Sequence, residues 1–284
     1  MNITNKLNLP QPFVQAVLND PYSPGDCDIT VTKLISPPRK VALEKKYHKE
    51  IKEDVADRLW ALFGQAVHNI LERAEAEAVT EERLYLDRQG WRIGGKFDRL
   101  LLEEGLLQEY KVTSVYSVKN GHKKEWEAQL NMLAHILREN GNKINKIEAV
   151  ALLRDWSGGK AEKNSDYPES QVVVLGIELW SEERCEEYID ERIRLHQLAR
   201  VKLPECSLEE RWAKPDQWAL IKKGGKRARK IYFDYREAAE ALELAGVNYE
   251  LDHRVGSSLR CESYCSVSKF CEKLKSIHKQ KNVA

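Results

Sequence analysis

Charged residues interrupt an otherwise apolar stretch in the sequence GLLQEYKVTS, at residues 105–114. Its two leucines after a glycine predict a buried β-strand, and the side chains of a strand alternate between its faces. Glu109 and Lys111 therefore point to one face, and Tyr110 points to the other. Burying a charge is costly unless the charge is paired or bound to a metal. Such a pair ordinarily marks a solvent-exposed strand face, and the alternative is a site inside an α/β fold.

The composition predicts a soluble globular protein. The chain has 284 residues, of which 32% are charged and 42% hydrophobic, with a net charge of +1. This length suits one substantial core, or one domain with an appendage. Because the net charge is near zero, a nucleic-acid surface must be a local patch. No apolar run approaches the roughly 20 residues of a membrane helix, so we expect no membrane partner. The N-terminus lacks the pattern of a signal peptide, and we expect a cytoplasmic protein.

The order of helical and strand patterns predicts an α/β fold with a mixed central β-sheet flanked by helices. Helical periodicity covers residues 39–51, 53–79, 124–140 and about 181–201, and strand patterns cover 82–87, 91–104, 106–112, 146–156 and 170–180. The composition changes after Pro204. We therefore expect a core with an N-terminal helical arm at 1–203 and a cysteine-rich, basic C-terminal module at 204–284.

Two carboxylates are expected to meet beside this strand. Asp98 ends the run GGKFD, eleven residues before Glu109. If the two strands form a hairpin, both side chains lie on one face, where they repel each other unless a positive group lies between them. A divalent ion such as Mg²⁺ takes oxygen ligands and retains waters for a substrate. Lys111 on the same face would then assist attack of water on a phosphodiester.

Four segments in this order resemble the PD-(D/E)XK nuclease superfamily, in its RecB-like, CRISPR-associated-type exonuclease branch. They are FGQAVHNILE, GGKFD, QEYK and WEAQLNMLAHIL, and they lie between about residues 29 and 153. Phe97 stands where the family name has Pro. In the last segment Gln129 matches the family's Q-x-x-x-Y helix, whereas Leu133 replaces the usual Tyr, which argues against contact of residue 133 with DNA.

The resemblance implies a restriction-endonuclease-like core and a role for each matching residue. His68, Asp98, Glu109 and the Tyr110 carbonyl are implied as ligands of Mg²⁺ or Mn²⁺. Lys111 would orient and help deprotonate the attacking water, and Gln129 would position Lys111 or the DNA backbone. Taken alone, His68 on an apolar helix face is more often a hydrogen-bonded core residue, and a Gln on an amphipathic helix is normally a surface residue.

The activity implied is a metal-dependent DNA exonuclease in recombination, repair or phage DNA processing, in a bacterial or phage-infected host cell. Its partners would be DNA and a recombination or replication protein. Three alternatives remain open: a non-cleaving DNA-binding protein of the same fold, a subunit active only with a partner, as in CRISPR adaptation, and an endonuclease.

Three cysteines near the C-terminus have the spacing of a metal or cluster site. Cys261, Cys265 and Cys271 are separated by three and five residues, and a fourth ligand would complete a [4Fe–4S] cluster or a zinc site. The segment CSLEERW resembles that of phage-type members of this branch, which favours Cys206, with Cys27 in reserve. Cys185 lies inside a helix and is expected to be a packed thiol. Zinc is the alternative to iron–sulfur, and three unrelated buried cysteines are the ordinary alternative to both.

A basic segment at 222–230 is expected to contact DNA phosphates. Six of its nine residues are cationic, and its glycines let a phosphate approach the backbone. They are Lys222, Lys223, Lys226, Arg227, Arg229 and Lys230. Trp212 and Trp218 upstream could stack on unpaired bases. A solvated hairpin tip with core tryptophans is the alternative, and the basic helix at 39–49 could also flank the DNA.

Overall fold

The computed structural model describes residues 2–74 and 78–274. These residues form helices and mixed β-sheets, so the predicted α/β class is confirmed. Within this part of the chain, no helix has both the length and the apolar character needed to cross a membrane.

The α-helices and β-strands follow one another as short elements joined by short loops. The helices are α1 (Gln11–Leu18), α2 (Val31–Leu34), α3 (Pro38–Lys46), α4 (Val55–Ala74), α5 (Lys124–Glu139), α6 (Gly158–Ala161), α7 (Glu182–Leu198) and α8 (Tyr235–Ala245). The strands are β1 (Asn2–Thr4), β2 (Ile29–Thr30), β3 (Lys52–Asp54), β4 (Val79–Thr80), β5 (Arg83–Arg88), β6 (Trp91–Lys96), β7 (Arg99–Leu101), β8 (Leu106–Thr113), β9 (Lys146–Leu153), β10 (Val172–Ile177), β11 (Ala213–Lys214), β12 (Gln217–Lys222), β13 (Ala228–Tyr232), β14 (Tyr249–Arg254) and β15 (Ser257–Ser258).

A mixed five-stranded sheet has the strand order β10-β9-β8-β7-β4. Strands β8 and β9 are parallel and joined through α5, whereas β7–β8 and β9–β10 are antiparallel. The strands β2, β6 and β5 form a separate three-stranded sheet, so the predicted strands at 82–87 and 91–104 do not all join one central sheet. The pattern at 91–104 is not one strand: it divides into β6 and β7 at Phe97 and Asp98, where the buried Phe97 joins the core.

Helix α5 lies in the core of this region and explains the apolar pattern of its sequence. Ten of its sixteen residues are buried. One of these is Leu133, 2% exposed, whose Cδ2 atom lies 2.8 Å from the position that a Cβ on Gly95 of β6 would take. The helix and sheet therefore approach closely here, and Leu133 serves packing, which agrees with the expectation that this position does not contact DNA.

The chain divides into two compact units. The first consists of Met1–Pro38 and Lys49–Lys202, and the second of Arg39–His48 and Leu203–Ala284. The predicted boundary at 203 left Arg39–His48 in the core, whereas the structure places these residues in the second unit. The reason is local packing: Tyr47 stacks on Phe270 at 4.4 Å between ring centroids, and Arg39 donates to the Leu203 carbonyl at 3.2 Å.

Strands β12, β13 and β14 form an antiparallel sheet in the second unit, and α8 packs on it. The sequence patterns at residues 235–246 and 248–255 predict the helix α8 and the strand β14, whereas no pattern predicts β12 or β13. The basic residues between β12 and β13 obscure the alternation of apolar and polar residues by which a strand is predicted. Gly224, at φ +77°, lies in the turn that joins them.

Candidate functional site

The site lies where β7 stops pairing with β8. The last pair of this hairpin joins Arg99 to Gln108, and beyond it the edge of β8 at Tyr110 is not covered by β7. Asp98 fills this position, because its Oδ2 accepts a hydrogen bond from the Tyr110 N–H at 2.7 Å. The N–H and C=O groups of one strand residue point to the same edge, so the Tyr110 carbonyl also faces this side of β8.

Glu109, Lys111 and Gln129 form a hydrogen-bonded group next to this edge. Lys111 Nζ donates to Glu109 Oε1 at 3.0 Å and to Gln129 Oε1 at 2.9 Å. Gln129, on α5, also donates through Nε2 to Glu109 Oε1 at 2.6 Å. Glu109 and Lys111 therefore face the protein interior and not solvent. Gln129 holds both side chains in a fixed arrangement.

The second carboxylate oxygen of Glu109 is buried without a hydrogen-bond partner in the described residues. Burial is the largest influence on this carboxyl group and raises its pKa, the positive charge of Lys111 lowers it, and the negative charge of Asp98 raises it again. An orphaned, buried anionic oxygen is expensive, and a hard cation is the partner that would satisfy it.

His68, Glu81 and Asp98 bring three ligand atoms within 4.8 Å of one another. His68 Nδ1 lies 3.1 Å from Asp98 Oδ1 and 3.5 Å from Glu81 Oε1. Helix α4 provides the histidine, which also contacts the ring of Tyr110 edge-on at 6.0 Å between centroids. Glu109 lies outside this 4.8 Å group, but the charge of Asp98 raises its pKa and the charge of His68 lowers it, after the larger effects of burial and Lys111. The structure thus brings together the predicted ligands on one side of β8 and adds Glu81 to them.

The acidic side chains around His68 strongly change its pKa. Burial lowers the pKa of His68, but hydrogen bonds to Asp98 and Glu81 and the negative charges nearby outweigh this effect and raise the pKa to about 10. These acidic side chains stabilise a positive charge at the position of the imidazole. The same charge surplus would attract a metal cation, for which the neutral imidazole is a ligand.

Glu81 is the site residue that the sequence patterns missed. It has a φ of +55°, a region that non-glycine residues rarely occupy, and its N–H donates to the Asp98 carbonyl at 3.2 Å. Its carboxylate forms an ion pair with Lys96 as well as its contact with His68. A single glutamate in a loop before a strand carries no periodic signal. The nearest indication in the sequence is the adjacent pair of glutamates at 81–82.

The four cysteines expected to bind a metal or cluster all belong to the second unit. Burial first, then the charges of Glu210, Cys261, Cys271 and Cys265, together raise the pKa of the Cys206 thiol to about 12. These sulfurs therefore lie in one neighbourhood although one cysteine is far from the others in sequence. Cys261 is in a π-helical turn at Arg260–Tyr264.

The two other cysteines lie in the first unit. Cys27, the reserve ligand, donates its S–H to the Pro24 carbonyl at 3.2 Å and lies against Gly94. Cys185 is 1% exposed on α7 and packs with Trp180, in agreement with its expected role as a packed thiol.

The basic segment forms the exposed tip of the β12–β13 hairpin, and all six of its cationic side chains are exposed. Each of the two tryptophans has a neighbouring side chain on its ring. Trp218 stacks on His253 at 5.1 Å between ring centroids, and the guanidinium of Arg260 lies 4.2 Å from the ring centroid of Trp212. The six cationic side chains are the more exposed part of this region.

Comparisons with known proteins give little further information. No family model matches the chain, and no curated protein matches it. Among solved structures, the chain is similar to one titled "Crystal structure of SSO0001", with 18% identity and a TM-score of 0.46 over 65% of this chain and 83% of that one.

Proposed function

We propose that this chain is a divalent-metal-dependent deoxyribonuclease, an exonuclease of the RecB-like branch of the PD-(D/E)XK nucleases with their restriction-endonuclease-like core. One observation carries the proposal: the five side chains named by the family's motifs converge at the edge of β8. They are His68, Asp98, Glu109, Lys111 and Gln129. The motifs lie on a helix, a loop, a strand and a second helix, so sequence proximity alone does not explain this convergence.

The residues present fit a hard divalent cation. His68, Glu81, Asp98, Glu109 and the Tyr110 carbonyl would hold it, and the orphaned oxygen of Glu109 is the observation that favours a cation here. When bound, Mg²⁺ or Mn²⁺ would polarise the scissile phosphate and lower the pKa of a water molecule.

The protein itself supplies the positioning and the positive charge. Lys111 is 18% exposed and held by two hydrogen bonds, so its ammonium group can orient the attacking water and stabilise the developing negative charge on the phosphate. Gln129 acts through Lys111 and Glu109 as a positioning residue.

A [4Fe–4S] cluster on Cys206, Cys261, Cys265 and Cys271 is the second proposed cofactor, in a C-terminal module that it would stabilise. Zinc held by the same four thiolates is the alternative cofactor.

The exposed hairpin tip at 222–230 would contribute phosphate contacts to DNA. Six cations that release counterions make binding strongly dependent on salt concentration. A DNA substrate therefore suits the chain even though its net charge is only +1.

The test compares linear DNA labelled at either end with closed circular DNA, each incubated with Mg²⁺ or Mn²⁺. Lys111→Ala is run in parallel, with Lys143→Ala as a control because Lys143 is an exposed lysine of the same unit. We expect progressive loss of linear DNA only, abolished by Lys111→Ala and kept by Lys143→Ala.

Other results would change the assignment. Cleavage of closed circles would identify an endonuclease. DNA binding without cleavage by the wild type would favour the non-cleaving alternative, and cleavage that appears only with a partner protein would favour the partner-dependent subunit. Equal cleavage by wild type and Lys111→Ala would refute the assignment of the site.

A further inference from the structure

Two large aromatic side chains are exposed on the helix that carries His68. Trp60 is 56% exposed and Phe63 is 47% exposed, and their rings meet edge-on at 6.2 Å between centroids. Tryptophan is normally well buried, and an exposed one next to a second aromatic residue is a typical recognition surface. Trp60 precedes His68 by eight residues, which places it about 12 Å along the axis of α4 from the site.

Arg154 places a positive charge next to Trp60. The guanidinium of Arg154 lies 4.4 Å from the centroid of its ring, and the Arg154 N–H donates to the Thr113 carbonyl at the end of β8. Thr113 follows Lys111 by two residues on the same face of that strand. Lys123 lies close enough to Arg154 for the guanidinium to lower its pKa, in addition to the larger lowering by burial. An aromatic and cationic surface thus continues from the candidate site past the end of β8.

This combination selects one class of ligand. A nucleic-acid strand carries negative phosphates, which Arg154 and Lys123 would neutralise, and bases, whose flat faces stack on aromatic rings and on guanidinium planes. Inside a duplex both faces of each base are covered by its neighbours, and only the terminal pair has a free face, so stacking of an interior base on Trp60 requires that base to be unpaired.

We propose that Trp60, Phe63 and Arg154 form a stacking platform for an unpaired base of the strand being degraded, so that the substrate is DNA with a single-stranded end. This inference rests on the proposed nuclease function and adds the strand state of the substrate. The platform is a binding element and takes no part in the chemistry.

The position of the platform predicts which nucleotide it holds. A separation of about 12 Å corresponds to roughly three or four nucleotides at about 3.4 Å each, and to fewer if the strand is extended. The base on the platform therefore lies two to four nucleotides from the scissile phosphate.

The test measures binding of fluorescein-labelled single-stranded oligonucleotides and blunt duplexes without added divalent metal. For Trp60→Ala we expect single-strand affinity to fall roughly five- to a hundredfold, the range for loss of one stacked base. Duplex affinity should change less than twofold, and Trp60→Phe should retain part of the single-strand affinity.

The matched control is Tyr22→Ala. Tyr22 is 57% exposed in the same unit and has the Arg83 guanidinium 5.9 Å from its ring centroid, so it repeats the aromatic–arginine pairing of Trp60 in a segment outside α4. We expect this variant to bind both DNAs like the wild type. A melting temperature equal to that of the wild type confirms that Trp60→Ala is folded.

A second experiment changes the DNA instead of the protein. Removing one base at a time from the single strand should weaken binding to the wild type at one position, two to four nucleotides from the cleaved bond. The same abasic oligonucleotide should bind Trp60→Ala no more weakly than the intact one does. Additive losses would overturn the proposal, because they would show that the base does not contact the platform.

The results separate this inference from the nuclease assignment. If the wild type degrades DNA but Trp60→Ala binds and degrades single strands normally, the platform is refuted and the nuclease stands. Equal losses on single strands and duplexes, or equal losses in Tyr22→Ala, also refute the platform. If no DNA is cleaved but Trp60→Ala selectively loses single strands, the nuclease fails and the binding platform stands.

Discussion

Burying the carboxylate of Glu109 costs free energy, and this cost indicates a functional site at this residue. Its carboxylate is 4% exposed, one oxygen is held by Lys111 and Gln129, and the other has no hydrogen-bond partner in the described part of the chain. The alternation of side chains along a strand predicted that Glu109 and Lys111 share one face, and the family resemblance, not the alternation, favoured a site over a solvent-exposed face. Neither could predict Glu81, because the contact between residues 81 and 98 depends on a backbone turn with positive φ, which has no regular sequence pattern.

We predict that Glu81→Gln weakens binding of the divalent metal. The substitution keeps the shape of the side chain but removes one negative charge from the group around His68, so we expect about a tenfold or larger loss of Mn²⁺ affinity, measured by calorimetry. Glu82→Gln is the matched control, because Glu82 is the adjacent, exposed glutamate. Equal affinity of Glu81→Gln and the wild type would exclude Glu81 from the metal site.

His135 predicts a pH dependence of stability that is independent of the metal site. The side chain is 2% exposed on α5, and neither ring nitrogen has a partner in the described residues. Burial lowers its pKa, Arg88 lowers it further, and Glu139, Glu186 and Glu182 raise it in part. The folded state therefore keeps the ring neutral at a pH where the unfolded chain binds a proton.

The sign of the effect follows from this difference. Below the unfolded pKa of about 6.5 the unfolded state binds more protons, so the free energy of unfolding falls with decreasing pH, by up to about 1.4 kcal/mol per pH unit, until the folded pKa is reached. His135→Met should reduce this loss between pH 7.5 and 5.5 in urea titrations. Leu137→Met, a substitution of a buried residue without a titratable group on the same helix, should leave this loss unchanged.

At the scale of elements, the β7–β8 hairpin determines the site because it sets Asp98 beside the edge of β8. In the sequence this hairpin was a condition for bringing Asp98 and Glu109 together, and the observed register, which pairs Leu101 with Leu106 across the turn, meets it. The sequence did not predict that β5 and β6 form their own sheet. Strand patterns indicate which segments are extended but not which partners they choose, since pairing depends on tertiary contacts.

We predict that Gly105→Ala destabilises the hairpin more than an ordinary turn substitution. Gly105 has φ +63°, and an added Cβ would lie 2.7 Å from the Lys143 carbonyl oxygen. Gly141→Ala is the matched control: φ is +87° there, but a Cβ would meet no atom within 4 Å.

The two variants separate strain from steric conflict. Backbone strain alone costs about 1–3 kcal/mol and applies to both. The close contact adds a further cost of about 1–3 kcal/mol at Gly105 only. Urea denaturation should therefore show the larger loss for Gly105→Ala, accompanied by slower DNA cleavage in the assay for the proposed nuclease. Equal losses would show that the contact with residue 143 relaxes freely.

At the scale of the whole molecule, two separate segments of the chain form the second unit. They are Arg39–His48 and Leu203–Ala284, and the residues between them belong to the first unit. A change in composition after residue 203 predicted the C-terminal part of this unit. The helical pattern of α3 could not predict which unit the helix joins. Contacts such as the stacking of Tyr47 on Phe270 determine the unit, and such contacts have no periodic sequence pattern.

The proposed cluster therefore has a consequence far from the cysteines in sequence. Cys265 lies near α3, since Lys40 lowers and Glu44 raises its pKa, after the larger raising by burial. We predict that Cys261→Ser releases the iron and lowers the protection of amide hydrogens from exchange in residues 39–48 as well as in 203–274. Residues 55–74 and 106–153 should keep their protection, because they belong to the other unit.

Hydrogen exchange read by mass spectrometry measures this distribution, and metal analysis measures the release. Cys27→Ser is the matched control, since Cys27 is a cysteine of the first unit and should leave both the iron content and the protection unchanged. Loss of protection in 203–274 with full protection in 39–48 would contradict the assignment of α3 to the second unit. Unchanged metal content in Cys261→Ser would refute the cluster, because removal of one of four thiolates from a cube that they hold must weaken its binding.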